Sequence, residues 1–491
     1  MSITMNGRVS FEKVMKAVRE LDPAHNDKYK KKDDIASSQL FADVFSSVAR
    51  YNVNSKTYYV YDGVKWQSDI EGMKVERFAK QLSRALLIYS ADLCDESYSH
   101  FVAKLQDRRK RETMIRDARD FYPVQMTDFD SDPYLFNCKN CVINLKTCER
   151  MEHDSSLLLS KVSGVVYDPE ATCDEFNSFL NDVVIGDDGK RTYLQKVIGY
   201  SMIGLNVHEE LYMIYGSTTR NGKSTLLDTI GHVFGDYGAN IMPETLAQQK
   251  EKNSRQASGD IARLNGVRFL HCGEPPKRMK FDVALVKALT GNDLITARHL
   301  NEREFQFRPV FTLFLNSNYL PLVSDDTLFS SGRVKVISFD RHFEPEEQDE
   351  TLKPRLRQEN NISGIFNWML EGLRMYYADG GTLRPPESVT KATEEYRQNS
   401  DKIQCFIQDC LIPSEGNCIQ AKFLYEQYSA WCKSNGFGVE NKSNFLDELR
   451  GKGLLHKTGT IMGTTVHNVV KDFTFDGSAV GWNSEEGYNT T

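Results

Sequence analysis

The sequence predicts a multidomain α/β protein with a parallel-sheet core, an α+β accessory unit ahead of it and a helical, winged-helix-like region behind it. Three observations predict this. An apolar run, Leu211 to Tyr215, passes through a short loop into Gly222-Lys223-Ser224 and then a helical pattern. From Leu211 to about Phe343, apolar strands and helices alternate, which is the mark of a parallel α/β sheet. And 491 residues are too many for one ordinary core, the length suggesting about three domains.

The strand-to-helix loop has the chemistry of a triphosphate cradle. Unpaired N–H groups at a helix start converge on one spot where the helix dipole favours negative charge. Gly216 and Gly222 let backbone approach phosphate, Asn221 lines the loop, Lys223 reaches the β and γ oxygens, the Ser224 hydroxyl suits Mg²⁺, and Thr225 begins the helix. The strict pattern has glycine where Ser217 stands, so the loop is expected to be one residue longer than standard.

Hydrolysis needs an acid beside the cradle and a polar group near the γ-phosphate. Val267 to Glu274 reads as an apolar strand ending in a carboxylate, with Glu274 placed to help hold Mg²⁺ or polarise water. Gly273 precedes it where a second acid is usual, so one acid serves both tasks. Val310 to Asn318 is a second apolar strand, with Asn318 at its C-terminal edge as the polar group; Asn316, the rival, is expected to cap or face the sheet. Arg333 opens another strand, where it can neutralise charge on a neighbouring subunit's phosphate or form a surface ion pair. ATP and Mg²⁺ are the expected ligands.

Outside the core, Lys56 to Trp66 reads as two aromatic strands about an Asp-Gly turn. Helices are expected over 73–93 and 97–119, the second carrying Lys104, Arg108, Arg109, Lys110, Arg111, Arg116 and Arg119; a solvated face and a phosphate contact compete there. Short strands follow at Leu135–Asn137 and Val142–Leu145, and one helical stretch at 173–199. The last segment reads helix, helix, then two strands, with Lys442, Asn444, Arg450 and Lys457 able to meet a DNA backbone or the segment to dock a protein. The resulting boundaries are an arm at 1–35, an accessory domain at 36–170, the core at 171–345, a helical linker at 346–400, a winged-helix-like domain at 401–476 and a polar tail at 477–491.

Hydrophobic content of 40% and charged content of 26% are those of a soluble protein. No apolar run reaches membrane-span length, and the first residues lack a secretory layout, so the expected place is the cytoplasm, with no membrane partner. Ten dispersed cysteines do not form a disulfide framework, and Cys138, Cys141, Cys148 and His153 lack the second paired motif of a zinc ribbon. A net charge of −7 excludes wholesale coating of nucleic acid and leaves local patches.

The order of motifs carries a family resemblance: phosphate loop, strand with Glu274, Lys287 to Arg298, strand with Asn318, then Arg333. This succession resembles the superfamily 3 (AAA+) helicases, and within them the phage/plasmid and poxvirus-type primase-helicases. The likeness extends to Asp130 to Leu145, Gly199 to Gly204 and Ser363 to Gly372, and covers roughly residues 35–475. It implies an ATP-dependent replicative helicase of a phage or mobile element in a bacterial host, a hexameric ring moving 3′ to 5′ on single-stranded or forked DNA, with a separate primase or polymerase as partner. Lys223 and Ser224 of one subunit would face Arg333 of the next. The segment from Ile295 to Arg308 resembles the hairpin that projects into the channel of such rings, with Arg298, His299 and Arg303 as donors to phosphate. Gly332 stands where relatives often have a second arginine, and Cys141 where they have a turn glycine. With about two hundred residues ahead of the loop, no primase chemistry is expected in this chain. An origin-binding initiator using ATP as an assembly switch, or a remodelling or loading ATPase, are the alternatives.

Overall fold

The computed structural model describes residues 4–5, 8–248, 259–277, 279–298, 304–321, 323, 327–400, 402–435 and 439–476. Five strands form the central sheet: β1 (Leu211–Tyr215), β2 (Gly238–Ile241), β3 (Phe269–Cys272), β4 (Thr312–Ser317) and β5 (Val334–Ser338). All neighbours are parallel, in the order β2-β3-β4-β1-β5. The pattern of burial explains why: β4 is buried at every position and β1 at all but the last, so both faces must be covered, as in parallel sheets.

Alternate residues sort the two faces. Tyr212, Ile214, Phe269 and Phe314 join one core with the helix α1 (Lys223–Phe234), whereas Leu211, Met213, Leu270, Leu313 and Leu315 join another with the helix Val283–Thr290. The first core also takes in helices Asp174–Val183, Asp188–Tyr200 and Glu359–Ala378. The last two meet backbone to backbone: a Cβ on Gly199 would lie 2.4 Å from Leu373 N, and one on Gly372 2.1 Å from Gln195 O.

An antiparallel sheet, Leu135–Asn137, Val142–Asn144 and Glu149–Met151, is stapled to that core through Phe136, which stacks on Tyr237 at 4.7 Å and on Phe366 at 5.5 Å. Cys138 and Cys141 are buried in its hairpin, and His153 Nε2 pairs with Cys138 O at 2.9 Å. Ahead of it lies a separate unit with its own core of Phe41, Phe45, Phe78 and Leu82 around helices and a four-stranded sheet.

Three sequence expectations change. The helix expected over 97–119 is two, Glu96–Lys104 and Arg108–Asp117, because Asp107 starts the second. The stretch 173–199 likewise divides where Gly186 takes a φ of 69° and Asp187 caps a new helix by accepting from Lys190 N. The C-terminal unit reads helix (Lys402–Cys410), strand (Leu411–Gln420), helix (Ala421–Ser434), helix (Lys442–Gly451) and two strands (Leu455–Ile461, Thr464–Phe475), so its first helix and first strand were missed. Among the described residues no helix is long and apolar enough to cross a membrane.

Candidate phosphate-binding site

The C-terminal edges of β1, β3 and β4 are in register, Tyr215 opposite Ser317 and Cys272 opposite Leu315, so the residues that leave these strands emerge on one rim. Chain order reverses there, with β1 between β4 and β5, which is where open α/β sheets place ligands.

The loop from Gly216 to Gly222 needs its glycines. Gly222 caps α1 with a φ of 83°, and a Cβ on it would sit 2.6 Å from Val183 Cγ1 and 2.9 Å from Phe179 Cε2. A Cβ on Gly216 would lie 2.0 Å from Asn221 Nδ2, so the close approach falls at Gly216 rather than at Ser217. Asn221 folds under the loop and donates to Thr218 O at 2.7 Å. From outside, His342 Nδ1 meets Thr219 O at 2.8 Å and Phe343 N donates to Arg220 O at 2.9 Å. The sequence reading missed this brace, since nothing local marks it.

Lys223 is 3% exposed and donates to Asn221 Oδ1 at 2.7 Å and to Asn318 Oδ1 at 2.6 Å. Burial lowers its pKa to about 8, opposed by the negative charge of Glu274. Glu274 itself is exposed, just past the end of β3. Thus Lys223, Asn318 and Glu274, far apart in sequence, gather at one rim. Ser224 is exposed and Thr225 half-buried at the start of α1.

Asn316 does not merely face the sheet. It sits two residues before Asn318 on the same face and donates through Nδ2 to Ser224 Oγ at 2.9 Å. Its Oδ1 is buried and has no hydrogen-bond partner among the described residues, an arrangement that costs about 1–3 kcal/mol. The donor set of Ser224 and Glu274 is hard oxygen, the kind that suits Mg²⁺. Lys190, 5% exposed, closes the other side by donating to Ser338 O and Oγ, each at 3.0 Å, at the end of β5.

Arg333 lies at the opposite edge. Its carbonyl accepts from Leu211 N at 2.7 Å, a full strand from the loop, or about 16 Å at roughly 3.3 Å per residue. Its guanidinium pairs with Glu209 at 2.5 Å and donates to Thr290 Oγ1 at 3.2 Å. Glu209 also accepts from Asn292 Nδ2 at 3.0 Å. Arg333 therefore cannot serve its own chain's loop.

Strands Ile295–Ala297 and Phe305–Phe307 do form an antiparallel hairpin, pairing Ala297 with Phe305. Arg298 follows its first strand and is half-buried; His299 and Arg303 lie outside the described residues. The basic helix Arg108–Asp117 is largely committed within its own unit: Arg108 pairs with Glu112 at 2.6 Å, Lys110 with Asp34 at 2.9 Å, and nearby Arg119 covers the Tyr51 ring at 4.9 Å.

Fold and rim together define a multidomain α/β protein whose parallel sheet presents a lysine-bearing loop at a strand-to-helix turn. The family described as "D5 N terminal like" matches residues 38–185, and "Poxvirus D5 protein-like" matches 398–452. Over these two stretches the chain is similar to the D5-type primase-helicases. A protein of Acanthamoeba polyphaga mimivirus named as a putative helicase is 27% identical over 360 residues, 69% of this chain and 37% of that protein. One of Frog virus 3 (isolate Goorha), named in the same way, is 24% identical over 272 residues, 51% of this chain and 27% of that protein. An African swine fever virus protein (isolate Tick/Malawi/Lil 20-1/1983) named as a putative primase is 20% identical over 364 residues, 69% and 38%. The chain thus spans well under half the length of these relatives. In fold it is similar to the solved NrS-1 C-terminal region, with a TM-score of 0.50 and 12% identity, covering 90% of this chain and all of that one.

Proposed function

We propose that this chain is the ATP-driven motor of a replicative DNA helicase of a virus or other mobile element, built on a superfamily 3 AAA+ core. The observation that carries the reading is the buried Lys223 ammonium at the C-terminal rim of a β2-β3-β4-β1-β5 sheet, held between Asn221 and Asn318. A lysine buried at the start of a helix, with two amides as its partners, is a charge kept ready for an anion.

In this reading a triphosphate takes Lys223 from its amide partners, and Asn318, released, orients the attacking water. Ser224 and Glu274 would hold Mg²⁺, which supplies charge neutralisation on the β and γ oxygens. Arg333, too far from its own loop, completes the site of the adjacent subunit in a closed ring, taken to be a hexamer. Leaving Glu209 for a neighbour's phosphate is then the arginine's assembly step. The hairpin 295–307 faces single-stranded DNA with Arg298, His299 and Arg303, moving 3′ to 5′, and the winged-helix-like 401–476 docks DNA or a primase or polymerase.

The test is ATP hydrolysis with Mg²⁺ by the full chain, with and without single-stranded DNA, together with separation of forked duplexes carrying 3′ or 5′ tails. Stimulated hydrolysis and unwinding from the 3′ tail support the reading. Hydrolysis indifferent to DNA, or tight sequence-specific duplex binding with negligible turnover, overturns it in favour of a remodelling ATPase or an initiator.

A further inference from the structure

β4 is buried along its whole length, flanked at its inner positions by Leu313, Phe314 and Leu315, so packing alone favours a leucine at position 316. An asparagine stands there instead. Its amide has one job in the structure, the 2.9 Å contact to Ser224 Oγ, and its other end is buried without a hydrogen-bond partner among the described residues.

What that amide is for follows from the hydroxyl. A serine oxygen that binds a cation through a lone pair becomes a stronger O–H donor, and the proton must find an acceptor. Phosphate loops usually meet the metal and its serine with an acid on the neighbouring strand. Here the residue before Glu274 is Gly273, which brings no side chain, and Glu274 is exposed beyond the strand end. Asn316 is the side chain that touches Ser224 from the sheet. An amide presents either its NH₂ or its oxygen to the same spot by a half-turn about its last bond. In the recorded orientation the NH₂ donates to Ser224; turned over, Oδ1 accepts the Ser224 proton and leaves both lone pairs of the hydroxyl to the metal.

We infer that Asn316 is a positioning residue of the Mg²⁺-nucleotide site, receiving the Ser224 hydroxyl in place of the carboxylate missing at Gly273. The inference rests on the nucleotide-binding reading above and adds a residue that reading does not use.

The test measures binding of a fluorescent ATP analogue to the full chain in Mg²⁺ and in EDTA, and separately the thermal midpoint without nucleotide. Asn316→Leu, of nearly the same shape, is expected to leave the EDTA affinity and to reduce the gain on adding Mg²⁺ by about tenfold, the cost typical of losing a partner to a metal ligand. Its thermal midpoint is expected to stay or rise, which a purely structural role for Asn316 would not allow. Asn316→Asp is expected to restore the Mg²⁺ gain. A wild-type gain retained by Asn316→Leu overturns this inference alone. Should Asn316→Leu fold poorly, Asn316→Asp decides: a gain in Mg²⁺ equal to or above wild type supports the assignment, and a lost gain in a folded protein overturns it. Absence of any nucleotide binding by the wild type overturns both readings together.

Discussion

Raising the pH from 7 to 9 is expected to weaken nucleotide binding about tenfold, through one side chain. Lys223 has its pKa lowered to about 8 because burial disfavours the ammonium more than Glu274 favours it. A triphosphate in the loop would hold that ammonium charged over the whole range. Binding at pH 9 must then take up a proton that roughly nine-tenths of free chains lack, whereas at pH 7 about nine-tenths already carry it, and the ratio of these fractions is about tenfold. The stability of the nucleotide-free chain moves oppositely. Between about pH 8 and the ordinary lysine value the unfolded chain binds more protons at this position, so folding gains from rising pH in that window. The assay is anisotropy of a labelled ATP analogue in EDTA at constant ionic strength, beside thermal melts of the free chain. Lys223→Arg is the control: its guanidinium does not titrate in this range, so its profile should be flat whatever its affinity. A wild-type affinity constant within twofold from pH 7 to 9, in folded protein, refutes the reasoning.

Gly222→Ala should abolish nucleotide binding and cost about 1–2 kcal/mol of stability from the positive φ alone, with more from the 2.6 Å approach to Val183; urea unfolding and the same anisotropy titration check it. Arg333→Ala should bind nucleotide normally yet lose at least about a thousandfold in turnover. Mixed with Lys223→Ala it should regain activity, and no recovery at any mixing ratio counts against a site shared between subunits. Phe136→Ala should destabilise by about 3–5 kcal/mol, because the ring is fully buried and stacked between Tyr237 and Phe366; a loss under 1 kcal/mol in chemical denaturation would show that the small sheet is not stapled to the core.

The parts of this protein written in local pattern were legible. The apolar runs of β1, β3, β4 and β5 and the helix after Gly222 follow from residue periodicity, and the structure has them; the hairpin expected over Lys56–Trp66 is there too, with its second strand displaced to Trp66–Ser68. The strand Leu411–Gln420 was not legible, because Pro413 and Gly416 lie within it; it pairs along one side with 464–475 and its register shifts between Pro413 and Cys418. The helix break at Leu105–Asp107 escaped notice because helix-compatible residues continue across it, whereas the break at Val184–Asp187 carried a local signal, Gly186 followed by the capping Asp187, that was passed over. At the rim, residue types pointed to Lys223, Glu274 and Asn318, but contacts across the sheet cannot be read from spacing. Asn316 on Ser224, His342 on Thr219 and Glu209 on Arg333 depend on which strands become neighbours. The basic run 104–119 was plain as charge and left a solvated face and a phosphate contact open; of its partners, Glu112 lies within the run, while Asp34 and the Tyr51 ring lie far from it in sequence.

Gly199 and Gly372 bring the helix just before the sheet and the helix just after it into contact without intervening side chains. The polypeptide thereby fastens its own return path, like a belt buckled behind the sheet. A single protease nick anywhere between 201 and 358 would leave two pieces that still cling together at this buckle. The same join makes that span suited to split or permuted versions, with new termini opened there and both halves of the sheet retained in one particle.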